Sequence, residues 1–186
     1  MAVTAKKIAH RESKFHQLLQ EQVHNEFTAS QQYIAVAVWF DNEDLPRLAA
    51  HFYKQALEER NHAMMIVQYL MDNNVKPNIP GVPDVRNDFS ETRELVALAL
   101  EQEREVTQEI VTLAKTARDE GDYLGEQFMQ WFLKEQVEEV SQMSTLLNVV
   151  DRSNGNLFDV ENFLARETVG DEGADATAPH AAGGAL

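Results

Sequence analysis

The chain has 186 residues, enough for one domain with a sizeable core, and its 44% hydrophobic content is that of a globular protein. It contains no cysteine, which excludes disulfides, thiolate metal sites, cysteine nucleophiles and iron–sulfur clusters together. A net charge of −15, from 31 acidic against 16 basic residues, disfavours nucleic-acid partners and attracts cations, besides serving solubility. The opening MAVTAKKIAHRES has no apolar h-region, and no apolar run reaches the roughly 18 residues of a membrane span. A soluble, cytoplasmic protein with no membrane partner is expected.

Helical periodicity dominates the chain. Helix α1 is predicted from about Glu12 to Phe40, with a turn at 41–44. Leu45-Pro46 opens α2, which continues to about Asp72; Pro46 falls in the first turn, where its missing N–H is harmless. Residues 73–89 carry Pro77, Pro80, Gly81 and Pro83 and read as loop. Helix α3 starts near Ser90, a plausible N-cap, and runs to about Arg118. After a Gly121-Asp122 turn, α4 covers roughly Asp122 to Asp151. Ser153-Asn154-Gly155 breaks it, and a short α5 follows from about Leu157 to Arg166. The division is a body at 1–166 and a flexible, low-complexity C-terminal tail at 167–186.

The connection between α2 and α3 is long for a bundle. Extended at ~3.3 Å per residue it spans roughly 55 Å, whereas a helix of about 28 residues is roughly 42 Å long. It can therefore travel the length of the bundle and leave α2 and α3 parallel.

Each long helix has an apolar stripe interrupted near its middle by polar residues able to bind metal. On α1 the stripe is Phe15, Leu19, Val23, Glu26, Ser30, Tyr33, Ala37. On α2 it is Leu48, Phe52, Ala56, Glu59, His62, Ala63, Ile66, Leu70. On α3 it is Val96, Ala99, Leu100, Glu103, Val106, Ile110, Ala114, which leaves Glu101 and Glu105 to solvent. On α4 it is Met129, Phe132, Leu133, Gln136, Glu139, Val140, Met143. Glu59 follows Glu26 by 33 positions, and Gln136 follows Glu103 by 33. In each antiparallel hairpin both members lie about 15 residues from the turn, so they reach one height. Unpaired ionised carboxylates in an apolar core cost several kcal/mol each, so these must be protonated, paired or bound to a cation. His62 is the only nearby base, and a divalent metal pair neutralises the cluster most cheaply. A carboxylate set with one imidazole and no thiolate suits iron or manganese, with zinc as a competitor. Glu-x-x-His alone is a weak motif; its conjunction with carboxylates from other helices is the stronger signal.

At these residues the chain resembles the bacterial non-haem ferritins, in EQVHNEFTASQQY on α1, LEERNHAMM on α2, EQEREVTQEI on α3 and FMQWFLKEQVEEV on α4. The match covers about 12–166 and is most similar to actinobacterial members with an extended C-terminal tail. The resemblance implies an all-α, ferritin-like four-helix bundle with one long crossover plus a short fifth helix. It implies one iron site at Glu26, Glu59 and His62, and a second at Glu59, Glu103 and Glu139, with Gln136 beside the pair. It implies a weaker third site at Glu58, Glu135, Glu138 and Glu139. Tyr33 and Trp131 match aromatics beside the family's centre, where they serve as electron donor or as packing. The helix-D His of the bacterioferritin type is missing, since 136–139 read QVEE. Arg60 stands at the haem-ligating Met position, so no haem is expected, Met64 and Met65 notwithstanding.

The function implied is iron storage with ferroxidase activity. Dioxygen or hydrogen peroxide takes one electron from each of two Fe(II), and ferric mineral is deposited inside a 24-subunit cage. In such a cage Leu157, Phe158, Phe163 and Leu164 would lie around four-fold axes, and Asp119, Glu120, Asp122 and Glu126 would form either an iron entry or a solvated turn. The alternative is a passive storage shell that relies on another subunit for oxidation. The tail is either a solubilising extension or a docking peptide for an encapsulating shell.

Overall fold

In the computed structural model the described residues are 13–166 and 175–186; the predicted start of α1 at Glu12 lies outside them. Among the described residues there are five helices and no strand: α1 (Lys14–Asn42), α2 (Pro46–Asp72), α3 (Thr92–Glu120), α4 (Tyr123–Arg152) and α5 (Leu157–Arg166). None is long and apolar enough to cross a membrane. The all-α bundle with a short fifth helix is as expected. Helix α1 runs two residues past Phe40. It ends where the Leu45 N–H returns to the Phe40 carbonyl at 3.0 Å and Asp44 adopts φ 57°, a left-handed conformation that Asp tolerates better than most residues. The α3 N-cap is Glu91 and not Ser90. Glu94 reaches back to accept from the Ser90 N–H and hydroxyl, both at 2.9 Å, which draws Ser90 outside the helix. Gly121, at φ 75°, ends α3, and the Asp122 N–H bonds the Ala117 carbonyl at 2.9 Å.

The connection from α2 to α3 runs along α1, held by glutamine side chains. Gln20 accepts from the Asn78 N–H at 2.6 Å and donates to the Asn78 carbonyl at 3.4 Å. Gln32, three turns further along α1, makes the same pair with Arg86, at 2.9 and 2.8 Å. The loop thus advances in the direction of α1 and against α2, as a crossover requires, and α3 starts parallel to α2.

Two carboxylates close the ends of the bundle. Glu120, at the end of α3, accepts from the Lys14 and Phe15 N–H groups at 2.9 and 3.1 Å. Glu161, on α5, accepts from the Arg47 and Leu48 N–H groups at 2.9 Å each. Both satisfy orphan donors at a helix N-terminus, where negative charge is favourable. At the Glu120 end α4 comes so near α1 that a Cβ on Gly125 would meet Phe15 Cε1 at 2.4 Å.

The core is divided. One apolar cluster, around Tyr33, Phe40, Phe52, Leu95 and Leu146, fills the end nearest α5. A second, around Phe15, Leu19, Ile66, Ile110 and Phe132, fills the other. Between them lies a buried polar layer: Gln22, Glu26, Gln55, Glu59, His62, Glu103, Gln136 and Glu139. The predicted stripes are buried throughout, except that Leu133 and Val140 are half-buried; Glu101 and Glu105 are exposed.

Of the tail, residues 167–174 lie outside the described residues. Residues 175–186 rest on α2 and α4. Trp131 Nε1 donates to Asp175 at 2.9 Å, and the Ala182 N–H bonds the Met64 carbonyl at 3.0 Å. The Asn61 amide pairs with the backbone of Leu186 at 3.1 and 3.2 Å. Ala178, Ala181 and Ala182 pack on the second core cluster.

Candidate metal centre

Glu26, on α1, and Glu59 and His62, one helical turn apart on α2, converge: one ligand atom from each lies within 4.8 Å of the others, and all three side chains are buried. His62 Nδ1 lies 3.1 Å from Glu59 Oε2. Its ring is fixed edge-on by Trp131 and Phe132, with centroids at 5.6 and 5.7 Å. Glu26 Oε2 and Glu59 Oε1 are buried with no hydrogen-bond donor. Two unpartnered carboxylate oxygens beside an imidazole fit a divalent cation by donor chemistry.

Glu103 and Glu139 lie in the same layer, outside that triad. Glu103 accepts from the Tyr33 hydroxyl, and Gln136 Nε2 lies 3.5 Å from its other oxygen. Thr107 Oγ1 lies 2.8 Å from Gln136 Oε1, which aims the amide nitrogen at Glu103. Glu139 Oε2 accepts from Gln55 Nε2 at 3.0 Å, and the same nitrogen donates to Glu58 Oε2 at 2.8 Å. Gln22 Nε2 donates to Glu26 Oε1 at 2.9 Å. Of the residues expected at a third site, Glu58, Glu135 and Glu138 are half-buried, and Glu58 and Glu138 carry i,i+4 ion pairs with Lys54 at 3.3 Å and Lys134 at 3.7 Å.

Burial raises the carboxyls of Glu26, Glu59 and Glu139 well above the usual range, reinforced by the charge of Glu59 on Glu26 and of Glu103 on Glu59 and Glu139. Burial also raises Glu103, against the opposing hydrogen bond from Tyr33. The Tyr33 phenol is pushed up by burial and then by Glu103, so it stays a proton donor. Raised in this way, these carboxyls take up protons more readily than exposed acids do, and a cation competes with those protons.

Gln22, Gln55 and Thr107 were not singled out from the sequence. The two glutamines occupy core-facing positions between apolar neighbours, one turn before Glu26 and Glu59, which was the available signal. The acidic corner before α4 has structural partners: Glu120 caps α1, Asp122 accepts from the Gly125 N–H at 2.8 Å, and Glu126 pairs with Arg118 at 2.5 Å. Asp119 lies near enough to Arg118 to reinforce its charge.

A four-helix bundle with one long crossover is the ferritin-like arrangement, and here it encloses a buried carboxylate–imidazole layer. The ferritin-like domain model matches residues 16–153. Ferritin BfrB of Mycolicibacterium smegmatis is 64% identical over 175 residues, covering 94% of this chain and 96% of that protein. The bacterial non-heme ferritin of Staphylococcus aureus is 34% identical over 157 residues, covering 83% and 95%. A solved open pore ferritin from Archaeoglobus fulgidus superposes with TM-score 0.79 at 22% identity, covering 83% and 96%, a likeness of fold. The chain belongs to the ferritin family.

Proposed function

We propose that the chain stores iron and is a ferroxidase, oxidising Fe(II) to Fe(III) at an intrasubunit di-iron centre and depositing ferric mineral inside a 24-subunit homo-oligomeric cage. The observation that carries this reading is the pair of partnerless carboxylate oxygens on Glu26 and Glu59 beside His62, in a layer of further buried acids. One ferrous ion takes Glu26, Glu59 and His62; the other takes Glu59, Glu103 and Glu139, with Gln136 alongside. Binding displaces the carboxyl protons, and hard oxygen donors favour the ferric state over the ferrous. Two ferrous ions release two electrons. Dioxygen takes them with two protons to give hydrogen peroxide, or hydrogen peroxide takes them with two protons to give two molecules of water. Tyr33 orients Glu103 through its hydroxyl, and as in the family it would serve either as an electron donor to the centre or as packing. A weaker third site uses Glu58, Glu135 and Glu138 together with Glu139.

The reading includes no haem, because a guanidinium at Arg60 cannot ligate haem iron, and no nucleic-acid partner, on grounds of charge. It takes the protein as cytoplasmic. The tail is either a solubilising extension or a docking peptide for an encapsulating shell.

Mixing metal-free protein with Fe(II) in air under stopped flow tests the proposal. The wild type gives a fast ferric signal, and Glu59→Ala slows it by at least about tenfold. A wild type without that phase, or a variant equal to it, favours the passive shell.

A further inference from the structure

Most of the acids in the polar layer are steered by neutral donors. Gln22 holds Glu26, Tyr33 and Gln136 hold Glu103, and Gln55 holds Glu139. A lysine or arginine there would neutralise the carboxylates and compete with a cation; an amide aims them and leaves their charge available. Gln55 differs from the other amides in one respect. Its side chain is 1% exposed, and its single nitrogen spends both protons on carboxylates from two helices, Glu58 of α2 and Glu139 of α4.

Those carboxylates repel each other: Glu58 is among the charges that disfavour ionised Glu139. With both protons of one nitrogen engaged, Gln55 ties the two acids together, and Glu139 is not among the residues whose ligand atoms meet at Glu26, Glu59 and His62. We propose that Gln55 is a positioning residue that holds Glu139 on the Glu58 side of the centre, so that this carboxylate is shared with the third ion and does not collapse onto the pair. The inference rests on the di-iron reading and deepens it by naming what divides the ligands between the paired and third sites. Gln55 touches no reacting atom; its effect passes through Glu139.

The test is anaerobic titration of the metal-free, full-length protein with Fe(II) by calorimetry, which resolves successive ions per subunit without any oxidation step. Gln55→Met keeps the length of the side chain and removes both donors. Gln55→Asn retains a buried amide but is one methylene short of spanning the two acids. Thermal unfolding of each metal-free variant accompanies the titration. In both variants the third ion is expected to bind about 10- to 100-fold more weakly, the usual cost of losing an outer support, while the ion on Glu26, Glu59 and His62, which Gln55 does not touch, binds as in the wild type. Unchanged third-ion binding, or an equal loss at all three, overturns the inference. A wild type that binds only the pair also overturns it and leaves the ferroxidase reading intact. A wild type that binds no Fe(II) overturns both, and is recognised without recourse to any variant.

Discussion

Glu26 and Glu59 each bury an oxygen that no donor reaches, which makes the metal-free subunit sensitive to pH. The folded-state carboxyl of Glu26 is raised above its unfolded value. Its contribution is therefore fully present below the unfolded pKa near 4.3 and is lost as pH rises toward the folded value, by up to about 1.4 kcal/mol per pH unit. Glu26→Gln removes that titration. In chelator-treated protein the melting temperature of the variant should gain on that of the wild type between pH 5 and 8, and the gain should vanish once a divalent ion is bound to the wild type. A gap that is constant across that range counts against a protonated centre. The acids themselves were legible in the sequence, because periodicity says which face a residue occupies, and only Glu103 of the α3 acids Glu101, Glu103 and Glu105 lies on the buried one. Gln22 and Gln55 escaped notice because spacing fixes a face and not a rotamer; which acid an amide reaches is decided by helix packing.

Among the elements, the crossover was readable from length and proline content, but its attachment through Gln20 and Gln32 was not, since those bonds join residues 54 to 58 positions apart. Helix ends were misplaced by a residue or two where a side chain reached back, as Glu94 does to Ser90. The seat of 175–186 had no sequence signal: the Asn61–Leu186 pair spans 125 positions, and an alanine- and glycine-rich tract has no periodicity to betray a face. Helix α5 docks through Glu161 as well as through the buried Val160. Glu161→Ala removes the acceptor for two N–H groups at the start of α2, where Leu45 provides no side-chain cap. A loss of about 1–2 kcal/mol is expected in denaturant unfolding, the scale of a lost helix cap, with the centre's metal binding unchanged. A variant as stable as the wild type would show that α5 is held mainly by Val160 and its apolar neighbours.

For the whole molecule, the proposed cage requires apolar surface left open by the single subunit. Ile34 and Val38 of α1, with Val82, Pro83 and Val85 of the crossover, form such a groove, and Val38 is 44% exposed. Val38→Asp should yield particles smaller than the wild type by light scattering, with unchanged helix content by circular dichroism; a full-sized particle would place the contact elsewhere. The divided core has a consequence of its own. Two greasy halves joined across a belt of acids make a subunit with a soft waist, because the belt supplies little apolar adhesion. Cations lodged there would act as rivets. Backbone amides at mid-helix should then exchange with deuterated solvent faster than those at either end when the protein is empty, and slow selectively on filling, so that heat resistance follows cargo.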